Sequence, residues 1–218
     1  MMNPRVVAGR TVLPGMLMLV MAVAVCTACG ESVNPAPSHD LAEPWQAVPF
    51  DIDGTTLAAA IDACRPNPNG QAIPPLAVFD ARGANTVVVV GFAQGGDTAY
   101  CTVVRNEAGR FSMSTGGVRS SSGEPPLGSR EVRSLDSGPT VAGVGQATYL
   151  VGRAGPEIAV VEIAVPSGQR VRTSLSRGWF AAWWPGGPTN PVNTTINGYD
   201  ASGNLAVSKI CADIDCRR

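Results

Sequence analysis

From residue 70 onward, apolar and polar positions recur with the period of two that marks β-strands. "LAVFD" (76–80) is a short apolar run, and "NTVVVVGFA" (85–93) is β-branched and predicts a buried strand. "QGGD" (94–97) turns the chain, and "TAYCTVVRN" (98–106) returns as the second half of a hairpin. "EAGR" turns again before "FSMS" (111–114). Residues 115–139, loaded with Gly, Ser and Pro, read as a loop. "ATYLVGRAG" (147–155) leads into "PEIAVVEIAV" (156–165), and "PSGQ" turns. "RVRTSLSR" (170–177) alternates as one strand, with Val171, Thr173 and Leu175 on one side and Arg170, Arg172 and Ser174 on the other. "GWFAAWW" (178–184) continues as a strand, and "TINGY" (195–199), "DASGN" and "LAVSKIC" (205–211) form a last hairpin. One segment has the helical period instead: Leu57, Ala60, Ile61 and Cys64 share a face, Asp53 or Thr55 caps the start, and "RPNPNG" stops it.

Many short strands with Gly and Pro turns predict a mainly β fold. The expected architecture is antiparallel and sandwich-like, either Ig-like or an open barrel, with one short N-terminal helix. Residues 45–139 hold the helix and a β-hairpin subdomain, and residues 140–218 a C-terminal β-subdomain; the two are separate units or one compact domain. "DARGANTVVVVGFAQGG" (80–96) and "GRAGPEIAVVEIAVPSG" (152–168) share a Gly-led entry, a β-branched run and a Gly turn, which raises the question of an internal repeat.

The N-terminus changes the picture. Arg5 and Arg10 precede an uncharged, mostly apolar run at residues 11–25, the length of a signal-peptide core and short for a membrane span. The following "CTACGES" resembles a bacterial lipobox, with Cys26 standing where Leu or Val is usual. That resemblance implies cleavage of residues 1–28 after Ala28 and a diacylglyceryl group on Cys29. Residues 29–44, with three prolines and no apolar periodicity, are expected to tether the domain to the outer face of the bacterial cytoplasmic membrane. An ordinary secretory signal or an uncleaved anchor helix are the competing readings. A lipid anchor suits lasting attachment, since each buried methylene contributes about 0.8 kcal/mol.

With Cys26 removed and Cys29 acylated, Cys64, Cys101, Cys211 and Cys216 remain, an even number for an oxidising compartment. Three pairings are open. The expected one joins Cys64 to Cys101, tying the helix to a strand, and Cys211 to Cys216, closing a small loop. A zinc site lacks both a C-x-x-C and a histidine partner. The sole histidine, His39, lies in the tether, which leaves no Ser-His or Cys-His mechanism. The net charge of −1 gives no nucleic-acid footprint, and nothing calls for a cofactor or a metal.

Candidate chemistry is sparse. Asp51, Asp53, Gly54 and Thr55 resemble the Asp-x-Asp-Gly-Thr line of haloacid-dehalogenase-like phosphatases. The resemblance stops there: that family needs an α/β sheet, a later Lys or Arg and an acidic pair, none of which follows in place. A helix cap is the simpler reading of Asp53. Glu157 and Glu162, five apart on a strand, point to opposite faces and cannot share one glycosidic bond. Gly143-x-Gly145 with Thr148 is a turn rather than a nucleotide loop, and Asn193 begins a sequon of little meaning here. In "RGWFAAWWPGG" aromatics fall on both faces, which favours a buried central strand. Trp184, nearest the strand end, is the one aromatic placed to stack on a ligand.

Together, "DARG…VVVV…YC" and the segment from Gly152 to Leu205 resemble uncharacterised cell-envelope proteins of high-GC Gram-positive bacteria over most of residues 75–210. The resemblance implies a small β-domain displayed outside the membrane and no activity. The functional expectation is a membrane-anchored, non-enzymatic binding module for an envelope protein or glycan. The alternative is an envelope hydrolase with an unrecognised acidic site.

Overall fold

The computed structural model describes residues 40–64, 76–92, 97–120, 125–186 and 194–211. Helix α1 (Gly54–Ala63) begins at Asp53, whose Oδ1 accepts from the N–H of Thr55 and of Thr56, both at 2.9 Å. Those are donors that a helix start otherwise leaves unpaired. Ala60 is buried, and Leu57, Ile61 and Cys64 pack beside it on the expected face.

The strands form three antiparallel sheets, none closed into a barrel. The first is the meander β1 (Leu76–Ala81), β2 (Thr86–Phe92), β3 (Thr98–Arg105), β4 (Phe111–Arg119). The second runs β5 (Val132–Ala142), β6 (Gly145–Ala154), β10 (Trp179–Pro185), β9 (Ser174–Ser176). The third runs β12 (Leu205–Cys211), β11 (Thr194–Tyr199), β7 (Val160–Ala164), β8 (Arg170–Arg172). The fold is mainly β and sandwich-like, as the patterning predicts, with a third sheet beyond the two of a plain sandwich.

Period-two alternation explains the stacking. In β2, Val87 and Val89 join the cluster under α1, while Val88 and Val90 join the cluster shared with the second sheet. In β10, Trp179, Ala181 and Trp183 face the first sheet; Phe180, Ala182 and Trp184 face the third, against Val161, Ile163 and Ile196. A strand apolar on both faces is one that other layers cover on both sides. The order is therefore helix, sheet, sheet, sheet.

Four expectations change. Residues 115–139 are not one loop: β4 continues to Arg119, and β5 opens at Val132. The glycines that suggest a loop make room for tyrosines. A Cβ on Gly117 would strike the Tyr100 hydroxyl, and one on Gly138 would sit 3.4 Å from that of Tyr149. The two rings stack with centroids 5.6 Å apart. Pro139 is tolerated because β5 is an edge strand, where a missing N–H breaks no ladder on the free side.

Residues 170–177 split into β8 and β9, which belong to different sheets. Thr173 is the crossing point, its N–H still bonded to the Val161 carbonyl at 2.9 Å. The chain then reverses at Arg177 (φ 52°) and Gly178 (φ 75°) into β10. The proposed repeat has no structural counterpart: β1 pairs with β2, whereas β6 and β7 lie in different sheets.

Finally, residues 40–44 are part of the folded domain rather than tether. Leu41 is 2% exposed, and the carbonyls of Leu41 and Glu43 accept from the N–H groups of Asn85 and Ala84. That turn, at Gly83, Ala84 and Asn85, has positive φ throughout. A Cβ on Gly83 would strike the Glu43 and Pro44 carbonyls, so glycine is required there. Residues Ala36–Arg218 group as one compact unit, and β5 runs through position 139–140. Among the described residues no helix is long and apolar enough to cross a membrane.

Cys64 at the end of α1 is bonded to Cys101 in β3, with Cα atoms 5.9 Å apart and a separation of 37 positions in sequence. Cys211 is also disulfide-bonded; Cys216 lies outside the described residues. Converting Cys64 and Cys101 together to alanine is expected to lower stability by about 2–4 kcal/mol, because the unfolded chain gains loop freedom. Urea denaturation under oxidising conditions measures it. A loss under about 1 kcal/mol would mean that packing alone holds α1.

Candidate functional site: a cleft where three sheet edges meet

The chemistry of the domain gathers around one buried ion pair. At the end of β1, Asp80 and Arg82 lie two residues apart on one face, and both side chains are 0% exposed. Arg82 Nε donates to Asp80 Oδ2 at 2.7 Å and Nη2 to Oδ1 at 2.9 Å. The same guanidinium donates to the Ala47 carbonyl at 2.6 Å and to the Arg172 carbonyl. Asp80 Oδ1 also accepts from Ser174, from its hydroxyl at 2.8 Å and its N–H at 3.3 Å. A buried charge persists only when paired and hydrogen-bonded. Here the partners come from the first sheet, the N-terminal segment and the β8–β9 crossing.

Beside this staple lies an open cleft of about 590 Å³. Three edge strands line it, β1, which pairs only with β2, β8 only with β7, and β9 only with β10, and the inner strand β7 adds Val160. Residues 48–51 form another wall. The floor is apolar, with Leu76, Phe79 and Leu175 among its residues, and its charges are Arg172, Arg177 and Asp51. Among the described residues none of these three charged side chains is in an ion pair. Thr173 also lines the cleft, and its buried hydroxyl has no hydrogen-bond partner.

The phosphatase-like line divides between two roles. Asp51 lines the cleft, exposed. Asp53 caps α1. The Thr56 hydroxyl, then the Thr56 and Thr55 N–H groups, hold its carboxyl below the usual range. It is therefore ionised at neutral pH, and the cap's contribution is lost only as pH falls through that lowered value. A group so held cannot serve as a general acid near pH 7.

The structure does not bring the other sequence candidates together. Trp184 keeps the largest exposure of the β10 tryptophans, but at 7% it is packed in the core and offers no face for stacking. Glu162 bonds to Arg170 and Tyr199, while Glu157 lies near Arg130. Residues 143–145 form the β5–β6 turn. Cys29, His39 and Asn193 lie outside the described residues.

Sequence reasoning passed over Asp80, Arg82, Arg172 and Arg177. One signal was available: "DAR" closes an apolar strand with two opposite charges at i and i+2, hence on one face. No protein-family model matches the chain, and searches of curated proteins and of solved structures return no match.

Proposed function

We propose that this protein is a lipid-anchored binding module of the cell envelope, held by an acylated Cys29 and presenting its cleft to a partner outside the membrane. The observation that carries the anchor is the small-residue–Cys junction at Ala28–Cys29 directly after an uncharged apolar run. Residues 30–39 then separate Cys29 from the first described residue, and those ten residues span at most about 35 Å. The domain would sit close to the bilayer, within reach of envelope components.

Binding is favoured over turnover by the cleft's make-up. A hydrolase that works with two carboxylates needs the second opposite the first, and Asp51 is the single carboxylate among the described residues of the lining. Two arginines without an ion-pair partner among the described residues, over an apolar floor, instead suit recognition of an anionic group.

The anchor is tested by expressing the full chain in a Gram-positive host and analysing its mature N-terminus by mass spectrometry. The expected species begins at Cys29 and carries acyl chains. Cys29→Ala should move the protein out of the membrane fraction, and Cys26→Ala should not. A wild-type chain with an unacylated terminus, or one free in the medium, would refute the proposal.

A further inference from the structure

We infer that the cleft binds an extended, acidic peptide, which joins the free edge of β1 as an added strand. The inference rests on the reading of the domain as a binding module, and deepens it by naming the class of partner.

Backbone geometry comes first. The Ala81 carbonyl turns away from β2 and accepts from the Phe50 N–H at 3.0 Å. Backbone groups alternate along a strand, so Phe79 turns its N–H and C=O to the same side. Residues 48–51 cover Ala81, but at Phe79 the chain lines the open cleft. An edge strand with unpaired backbone groups is a template for another strand. Domains that capture peptides this way take affinity from main-chain bonds and selectivity from side-chain pockets.

Charge supplies the selectivity. Arg172 and Arg177 approach from the edges of the third and second sheets, and neither has an ion-pair partner among the described residues. Both guanidiniums present forked donors to a carboxylate. Among the described residues the opposing wall carries Asp51 alone, so the charged side chains of that lining sum to one positive charge.

Trp184 is buried and offers a glycan no face to stack on.

The test uses the full chain, solubilised in detergent and panned against a displayed library of random dodecapeptides. Enriched peptides should carry Asp or Glu interspersed with apolar or β-branched residues. Their synthetic versions, followed by fluorescence anisotropy, should bind about tenfold more weakly to R172E/R177E, since each exposed ion pair contributes modestly. Methylating alternate peptide nitrogens should abolish binding, and the Phe79 amide should gain protection from hydrogen exchange. Absence of enrichment, neutral or basic consensus peptides, or affinity unchanged in R172E/R177E would overturn the inference. Self-association lost in that variant would assign the cleft to a second copy of the chain and overturn it equally. Because panning reads the domain and not its anchor, a failure here is separable from a failure of acylation.

Discussion

Arg82→Leu is expected to destabilise the domain by about 3–5 kcal/mol, enough to consume much of a typical folding free energy. The substitution leaves the Asp80 carboxylate buried with only Ser174 to satisfy it. It also orphans the Arg172 carbonyl, while the Ala47 carbonyl keeps the Arg172 N–H. Arg82→Lys should recover little, because an ammonium cannot reproduce the planar fork that meets both Asp80 oxygens. The double substitution D80L/R82L should cost clearly less than the sum of the single ones, with a coupling of about 2–3 kcal/mol, since no unpaired charge remains. Urea denaturation of the chain from Ala36 onward, with D80L added to complete the cycle, gives all four values. If Arg82→Leu costs under about 1 kcal/mol, the pair does not staple the three sheets.

That staple explains why the fold was more legible than the site. The β2 valines and the β10 aromatics announce themselves because a two-sided apolar strand has one solution, layers on both faces. Asp53 and the Leu57–Cys64 face are equally local, and a local rule reads them. Leu41 is not legible locally because what holds it is a left-handed turn 42–44 residues downstream in the chain, at Gly83–Asn85. The glycines of β4 and the Gly138–Pro139 step of β5 were misread for a related reason. The missing side chains at Gly117 and Gly138 make room for Tyr100 and Tyr149, which belong to other strands. The cleft is the extreme case: Phe79, Arg172 and Arg177 lie on three edges that meet only after the sheets stack. No window of sequence contains that juxtaposition, and an arginine alone reads as a surface residue. Trp184 shows the converse error, a side chain whose chemistry suggested a ligand and whose position makes it core.

The second large effect is expected at the neighbouring tryptophan. Trp183 is 0% exposed and sits between the first and second sheets with Val88, Val90 and Tyr149. Trp45 meets it edge-on with ring centroids 6.3 Å apart, and the Trp45 indole N–H donates to the Trp183 carbonyl at 3.2 Å. Trp183→Ala should therefore cost about 3–5 kcal/mol, the usual range for truncating a buried aromatic. Trp183→Phe separates volume from polarity. The Trp183 indole N–H is buried without a partner, so phenylalanine removes an unsatisfied donor while leaving much of the ring. Its cost should stay below about 1.5 kcal/mol. Trp45→Ala should fall between the two, because Trp45 is only partly buried yet clamps the N-terminal segment across both clusters. Were the ring a ligand platform, alanine would be mild for stability and phenylalanine would retain binding. A urea midpoint that barely moves in Trp183→Ala would support that view and remove the core role assigned to the ring.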